Sequence, residues 1–140
     1  MPGEYRLRRR VQFYETDAAG IVHFSWYFRY IEEAEHALWR EAGMSVADKD
    51  SDIHWPRVSA SCDFHGALAF EDEFEVDIRV ADITQKTIRF ASVITRGDKR
   101  IATGTHTVVC VRMRPGKPMK STDIPRAIAE RLQIMPGADA

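Results

Sequence analysis

The sequence predicts an α+β protein in which one long central helix is wrapped by a curved antiparallel sheet of five strands, with a short helix at the C-terminus. Two patterns support this prediction. One long segment, from residue 26 to about residue 42, has the 3.6-residue period of a helix, and five segments have the alternating period of a strand. One sheet packed on one helix buries both sets of apolar side chains. The 140 residues contain no repeats or linkers, so a single domain is expected over residues 1–140.

The first expected strand runs from Tyr5 to Phe13, with Arg9 as the one basic residue on its apolar side. Because successive strand side chains point to opposite faces, the cluster Arg8-Arg9-Arg10 is interpreted as a solvated strand face and not as a nucleic-acid patch. Four more strands are expected, the last two joined by a hairpin turn at Arg96-Gly97-Asp98-Lys99. These four strands are residues 58–65, 73–80, 87–95 and 101–113.

The long helix is expected to begin after Ser25, a good N-cap residue, and to end at Gly43. Its apolar arc consists of Tyr27, Tyr30, Ile31, Ala34, Ala37, Leu38 and Ala42. Phe28 and Trp39 lie beside this arc, so the helix has more apolar surface than one sheet face covers. We therefore expect Trp39 at a contact between subunits.

The C-terminal part of the chain is expected to leave the sheet at Arg114-Pro115-Gly116. A short amphipathic helix is expected from Ile124 to Gln133, opened by Asp123 and Pro125. The tail from Pro136 is expected to fray.

The composition argues against several classes of function. The formal net charge is −1 at pH 7, so no overall field draws the chain to nucleic acid or to a membrane surface. No apolar run is long enough for a membrane span, and the N-terminus lacks the apolar core of a signal peptide. Cys62 and Cys110 have no metal-binding or redox spacing and are expected to be reduced, which indicates a cytoplasmic protein.

The turn Thr16-Asp17-Ala18-Ala19-Gly20 places an acid just before the long helix. Gly20 permits a tight or left-handed backbone. The free amides and partial positive charge of a helix N-terminus favour an anion or a polarised carbonyl oxygen. Asp17 is therefore a candidate nucleophile or general base, the alternative being an aspartate that only closes the turn by local hydrogen bonds. If the strand continues, Glu15 points the same way and makes a pair of carboxylates.

No histidine or cysteine pair has the spacing of metal ligands, so no metal site is expected. His23 lies close in sequence to the acid-bearing turn, and His106 lies in the middle of a strand, where a core or interface position is expected. The chain has no Gly-x-Ser-x-Gly elbow and no phosphate-binding glycine-rich loop. These absences disfavour serine hydrolases and nucleotide hydrolases.

The segment FYETDAAGIVHFSWY, from Phe13 to Tyr27, closely resembles the signature of hotdog-fold acyl-CoA thioesterases. The resemblance is to the 4-hydroxybenzoyl-CoA thioesterase branch, which includes the Tol-Pal-associated thioesterases. It covers nearly the whole chain. Trp55-Pro56-Arg57-Val58 looks like the start of that family's second strand, and the segment FEDEF at residues 70–74 looks like the acidic turn before its third.

The resemblance implies a fold and a set of roles. The fold would be the hotdog fold, with Asp17 as the catalytic aspartate and the backbone amide near Phe24 as the donor that polarises the thioester carbonyl. Gly20 and His23 belong to the same motif. The oxyanion that develops on a thioester needs a fixed donor and not a metal.

Two positions depart from the family pattern. Glu15 stands where Asp is usual, and Glu35 stands at a helix position where Arg is common in the Tol-Pal-associated group. Glu35 faces close to the apolar arc, so this departure bears on the acyl pocket or on a subunit contact more than on the reaction.

The resemblance also implies where coenzyme A binds, since the family uses basic and hydroxyl side chains near the start of its fourth strand. Lys86, Thr87 and Arg89 occupy that place, and Arg57 is a further candidate. A second basic group follows the last strand and consists of Arg112, Arg114 and Lys117. The alternative for each group is an ordinary solvated surface. No cofactor is expected, because coenzyme A is part of the substrate.

The sequence therefore predicts a metal-independent thioesterase that converts an acyl-CoA into a carboxylic acid and free coenzyme A. A hotdog monomer leaves a sheet edge open, so a homodimer or homotetramer with shared sites is expected. One alternative is a non-catalytic protein of the same fold that binds or senses acyl-CoA. A second is a hotdog hydratase, which would need an Asp/His or Glu/His pair elsewhere on the helix.

Overall fold

One long helix lies against one face of a five-stranded antiparallel sheet in the computed structural model, which describes residues 2–137. The elements, in chain order, are β1 (Glu4–Arg10), α1 (Phe24–Glu41), β2 (Ile53–His54), β3 (Arg57–Phe64), β4 (Glu73–Ile83), β5 (Thr87–Arg96), β6 (Lys99–Val109), β7 (Val111–Arg112), β8 (Lys120–Ser121) and α2 (Arg126–Ala129). This arrangement confirms the predicted α+β class and the long helix. Neither helix of the described chain combines the length and apolar character that crossing a membrane requires.

The main sheet has the strand order β1-β4-β5-β6-β3, and every neighbouring pair is antiparallel. Register irregularities interrupt three of the four pairings, near Arg57, Val80 and Ile94. Such bulges bend a strand and increase its twist, which lets the sheet curve around a helix. The hairpin between β5 and β6 is confirmed, with Arg96 opposite Lys99 and Gly97 at φ 61°. A second, small sheet has the order β2-β7-β8.

The core lies between α1 and the inner face of the sheet. Alternate residues of β4 and β5 are buried there, as their sequence period predicts: Phe74, Val76, Ile78, Val80, Ile88, Phe90 and Ile94. The helix contributes Tyr30, Ala34 and Leu38, each fully buried. Burial of a large apolar side chain stabilises a fold by about 1.5–3 kcal/mol, so this interface is the main source of stability.

Several predicted element boundaries are wrong. β1 ends at Arg10, and after Val11, whose amide still binds the Asp72 carbonyl, the chain forms a short 3₁₀ turn (Phe13–Glu15) that leaves Phe13 73% exposed. The last strand divides at Cys110, whose amide binds the Lys86 carbonyl. The C-terminal helix is shorter than expected and covers only Arg126–Ala129. The part of the expected fraying that falls on residues 138–140 lies outside the described residues.

The sequence predicted one end of α1 correctly and the other incorrectly. Gly43 adopts φ 78° and donates its amide to the Arg40 carbonyl, which confirms the predicted stop. At the other end, His23 and not Ser25 is the N-cap, because the imidazole of His23 accepts a hydrogen bond from the Ser25 amide. The helix therefore starts at Phe24, two residues earlier than the pattern indicates.

Trp39 lies inside this chain and not at a subunit contact, so that expectation is wrong. Its side chain is 1% exposed, and its ring packs 5.0 Å from the ring of Trp55. The segment between α1 and β3 folds back over the end of the helix and supplies this cover. The extra apolar surface of α1 is thus partly satisfied within the chain.

Glu35 is buried in the middle of a polar network on the sheet side of α1. Its carboxylate is 2.7 Å from His106 Nε2 and 3.0 Å from the Arg57 guanidinium, and it accepts a hydrogen bond of 3.1 Å from Trp39 Nε1. Burial alone would raise the pKa of Glu35, but His106 and Arg57 outweigh burial and hold the pKa below its ordinary value of 4.5. His106 therefore lies in the core, as predicted, and Glu35 joins α1 to β6 through His106 and to β3 through Arg57.

Strand β3 forms an open edge of the sheet and is exposed along most of its length. Val58 is 60% exposed and Phe64 is 47% exposed. An edge strand with apolar side chains and free main-chain groups is a template for pairing with another strand.

The pH dependence of stability tests the Glu35 network. Because its pKa is lowered, the Glu35 carboxylate stabilises the folded chain above pH 4.5, and this contribution is lost as the pH falls through the lower folded-state value. We expect Glu35→Gln to lower the free energy of unfolding at pH 7 by about 3 kcal/mol, since it removes one partner of a buried ion pair. The pH dependence below 4.5 should become shallower, as measured by urea denaturation.

Glu130→Gln is the matched control, because Glu130 pairs with Arg126 on the exposed surface of α2. Surface pairs contribute little to stability, so its pH profile should equal that of the parent. Equal profiles for the parent and Glu35→Gln would contradict the prediction.

Candidate active site

A tight loop between the 3₁₀ turn and α1 carries the candidate catalytic aspartate. The Asp17 amide donates to the Ile21 carbonyl at 2.9 Å, and the Gly20 amide donates to the Asp17 carbonyl at 2.9 Å. Gly20 has φ 82°, a conformation that favours glycine. A β-bridge between Thr16 and Val22 closes the loop at its base. The predicted turn is therefore confirmed, and hydrogen bonds hold it on both sides of the acid.

The side chain of Asp17 is exposed at the tip of this loop. One carboxylate oxygen, Oδ1, accepts the Ala19 amide at 2.9 Å, which is the local bond expected of a turn aspartate. The other oxygen, Oδ2, has no hydrogen-bond partner among residues 2–137. The carboxylate is thus oriented by one oxygen while the other faces outward, an arrangement that suits a nucleophile or a general base.

The N-terminus of α1 lies directly after this loop. The His23 side chain accepts the Ser25 amide at 3.3 Å, and the His23 carbonyl accepts the Trp26 amide at 2.9 Å. Phe24 is the first helical residue, so its amide has no acceptor within the helix. The partial positive charge of the helix end adds to the field at this amide. All four predicted catalytic positions, Asp17, Gly20, His23 and Phe24, therefore lie in this loop or at the first residue of α1.

Glu15 does not pair with Asp17, because its side chain points into the protein and is fully buried. Its carboxylate accepts bonds from the Arg9 guanidinium at 2.7 Å, the Gln12 amide at 2.8 Å and the Tyr30 hydroxyl at 2.9 Å. Burial would raise the pKa of Glu15, but these bonds outweigh it and lower the pKa below 4.5. The one sequence signal for this network was Arg9, the basic residue on the apolar side of β1.

Exposed apolar side chains surround the loop and the helix end. Phe24 is 61% exposed, and the rings of Phe13 and Phe70 meet edge to face at 5.6 Å. The other exposed members are Tyr14, Ile21 and Phe64. We call these six residues the apolar rim. An exposed apolar surface of this kind marks a place where a ligand or another subunit binds.

The expected coenzyme A residues lie far from Asp17 in the same chain. Ile21 forms a bridge with Ala69, near the start of β4, whereas Lys86 follows the end of β4. The 11 residues of β4 span roughly 33 Å at about 3.3 Å per residue. The structure therefore does not bring Lys86 and its neighbours to the Asp17 loop of one chain.

At that distant end, Lys86 is exposed in the β4–β5 turn, which is closed by a contact of 2.5 Å between the hydroxyls of Thr84 and Thr87. Arg89 is half-buried on β5. Arg57 binds Glu35 and Glu32, so its geometry favours a structural role over substrate binding.

A second basic group lies at the same end, beside the β7–β8 pair. Arg112 and Arg114 both bind the carboxylate of Asp52 at 2.9 Å. With Lys117 and Lys120 they line a groove of about 360 Å³. Residues 2–137 contain no group of three or more histidine, cysteine, aspartate and glutamate side chains placed to hold a metal ion.

A helix wrapped by an antiparallel sheet, with an exposed aspartate in the loop that leads into the helix N-terminus, is the arrangement of the hotdog thioester hydrolases. Comparison with known families agrees. The chain belongs to the thioesterase-like superfamily, whose family model matches residues 11–132.

Relatives and solved structures cover nearly the whole chain. A crystal structure of a hypothetical protein from Aquifex aeolicus is 33% identical, with a TM-score of 0.85, and the match covers 92% of this chain and 99% of that one. A gentisyl-coenzyme A thioesterase is 25% identical, with a TM-score of 0.83 and coverage of 92% and 100%. A 1,4-dihydroxy-2-naphthoyl-CoA hydrolase of Synechococcus elongatus is 22% identical over 134 residues, 94% of this chain and 96% of the relative.

Replacement of Gly20 by alanine tests whether the backbone conformation of the Asp17 loop matters for hydrolysis. A Cβ at Gly20 would meet nothing within 4 Å, so the cost is the left-handed backbone alone, about 1 kcal/mol. We expect Gly20→Ala to lower thioester hydrolysis by about tenfold, because small displacements of a reacting group are costly. Thermal denaturation and steady-state kinetics measure the two effects.

Gly97→Ala is the matched control, since Gly97 also has a positive φ and open space around its Cβ position but lies in the β5–β6 hairpin. It should lose similar stability and keep full activity. Equal activities of the two variants would show that the loop conformation at Gly20 does not matter for catalysis.

Proposed function

We propose that this protein hydrolyses an acyl-CoA thioester at the Asp17 loop, with the Phe24 amide polarising the thioester carbonyl. The observation that carries this proposal is that one hydrogen-bonded loop holds an outward-facing carboxylate oxygen and leads directly into a helix N-terminal amide that has no helical acceptor. Family membership supports thioester hydrolysis in general. The roles of the individual residues rest on this geometry.

The Asp17 carboxylate could act in either of two ways. As a nucleophile it would attack the carbonyl carbon, form a mixed anhydride as the carbon–sulfur bond breaks, and be regenerated when water hydrolyses the anhydride. As a general base it would take a proton from the water that attacks the carbonyl carbon, and the carbon–sulfur bond would then break to release the coenzyme A thiolate. In both routes negative charge develops on the carbonyl oxygen, where the Phe24 amide and the helix dipole stabilise it. Neither route uses a metal.

We propose an aromatic acyl group as the first class of substrate to test. The apolar rim is mostly aromatic, and flat rings pack well against exposed phenylalanine and tyrosine side chains. Two of the similar proteins named above act on aromatic acyl-CoA esters. A panel of aromatic and straight-chain acyl-CoAs separates this class from the others.

We also propose that a second copy of the chain completes the site, in a homodimer or a homotetramer. The open edge of β3 offers a surface for antiparallel pairing with the same strand of another copy. Antiparallel pairing reverses the direction of the second sheet, so the Lys86 end of one copy approaches the Asp17 end of the other. Lys86, Thr87 and Arg89 of the second copy would then meet the phosphates of coenzyme A.

A cytoplasmic location is proposed on the basis of cysteine chemistry. Cys62 and Cys110 are both free. Burial raises the pKa of the Cys62 thiol to about 11, so this thiol is unreactive at neutral pH. Free, unreactive thiols are typical of proteins in reducing compartments.

Replacement of Asp17 by asparagine tests the catalytic role. Asparagine keeps the size of the side chain and can accept the Ala19 amide, but it carries no charge. We expect kcat to fall at least about 100-fold, the scale for loss of a base or a nucleophile, with nearly unchanged thermal stability. Release of free thiol from the best substrate of the panel measures this effect.

Asp98→Asn is the control, because Asp98 is an exposed acid in the β5–β6 turn. Parent-level hydrolysis by Asp17→Asn would refute the catalytic assignment. A parent protein that binds acyl-CoA but cleaves no member of the panel would favour the non-catalytic binding or sensing alternative.

The Phe24 amide can be removed by a substitution that the helix tolerates. Proline has no N–H and is favoured at the first helical position, and His23 has the extended backbone (φ −63°, ψ 137°) that precedes proline. We expect Phe24→Pro to lower kcat by roughly 100-fold or more, the scale for loss of one oxyanion donor. Phe24→Ala removes the same ring and keeps the amide, so it is the control. Equal activities of these two variants would exclude the amide as the donor.

A further inference from the structure

We propose that Glu15 is a positioning residue that holds the Asp17 carboxylate and the Phe24 amide in one geometry. This inference rests on the proposed function. The alignment then depends on a buried ionic network that contacts neither the substrate nor the reacting atoms. Glu15, Arg9 and Tyr30 form this network, which we call the Glu15 network.

The Glu15 network joins three elements through one carboxylate. Arg9 lies on β1 and forms an ion pair of 2.5 Å with Glu15, and its guanidinium also lies 4.7 Å above the Tyr30 ring. Tyr30 lies on α1 and donates its hydroxyl to the same carboxylate. The Gln12 amide, at the start of the 3₁₀ turn, donates to it as well. A movement of Glu15 is therefore resisted by the sheet, the helix and the connecting turn together.

The main chain of Glu15 continues this connection to the candidate site. Its carbonyl accepts the His23 amide at 2.9 Å, and His23 directly precedes Phe24. On the other side of the loop, Asp17 follows Glu15 by two residues. Asp17 is thus two residues from Glu15 along the chain, and Phe24 is separated from Glu15 by one hydrogen bond and one peptide bond. A shift of Glu15 would therefore disturb the main chain that leads to each of these groups.

Glu35, on α1, is a second buried glutamate with which Glu15 can be compared. It is as deeply buried as Glu15 and is also bound by an arginine and a helix-side aromatic donor. It lies about 16 Å along the helix from Phe24, at 1.5 Å per residue. None of its hydrogen bonds reaches the Asp17 loop. Loss of the Glu35 charge should therefore cost stability without disturbing the alignment of Asp17 and Phe24.

The experiment compares Glu15→Gln with Glu35→Gln. Both variants should lose thermal stability, since each removes a buried charge from its partner. Glu15→Gln should lower kcat by about 10-fold to 100-fold, the scale for misplacement of a reacting group, and leave KM within about threefold. Glu35→Gln should keep kcat within about threefold of the parent. Equal kcat for the parent and Glu15→Gln would overturn the proposal.

Tyr30→Phe keeps the test available if Glu15→Gln does not fold. It deletes one hydrogen bond to Glu15 and preserves the volume of the ring. We expect a smaller loss of kcat, about threefold to tenfold, at a temperature where the variant is fully folded. Tyr5→Phe, a half-buried tyrosine of β1, is the control and should keep parent kcat. No difference between these two variants would count against the Glu15 network.

Hydrogen exchange supplies a readout that does not need a substrate. The His23 amide should exchange faster in Glu15→Gln than in the parent, because its acceptor is the Glu15 carbonyl. The Ala42 amide, at the far end of α1, should exchange at the parent rate. If the parent hydrolyses no acyl-CoA, the proposed function fails, and exchange at His23 still decides whether Glu15 holds the loop. Unchanged exchange at His23 would refute the positioning role.

Discussion

The cover that one sheet provides for helix α1 is the constraint on which the rest of the structure depends. Tyr30, Ala34 and Leu38 need a continuous apolar surface, and the bulged strands β4, β5 and β6 supply it by bending around the helix. The Asp17 loop leads directly into the start of this helix. The strand order leaves β3 as an open edge at the side of the sheet.

Patterns that depend on neighbouring residues were predictable from the sequence, and patterns that depend on distant contacts were not. The alternation along β4 and the glycine stop at Gly43 are local, and both are confirmed. The end of β1 was missed because the apolar residue Phe13 is exposed beside another ring, Phe70, that is distant in the sequence. Trp39 was assigned to a subunit contact because its cover, Trp55, comes from a loop with no regular pattern.

The same distinction applies to the candidate site. The Asp17 turn could be predicted because acid, glycine and helix start lie within a few residues of one another. The Glu15 network could not, since Arg9 showed only that a basic residue lay on the apolar side, without naming its partner. The distance between Lys86 and Asp17 is set by the length of β4 and the direction of the strands. Sequence resemblance alone gave no sign that these residues lie at opposite ends of one chain.

The histidine cap of α1 determines which nitrogen of the ring carries a proton. His23 Nδ1 can accept the Ser25 amide only when it is unprotonated, and the neutral ring then carries its proton on Nε2. The Ser25 hydroxyl lies 2.8 Å from the same Nδ1 and favours the same tautomer by donating to it. In the neutral ring, the cap therefore leaves the N–H on Nε2, away from the start of the helix. The residue that caps the helix next to the Phe24 amide thus uses one ring nitrogen for the cap and leaves the other outside it.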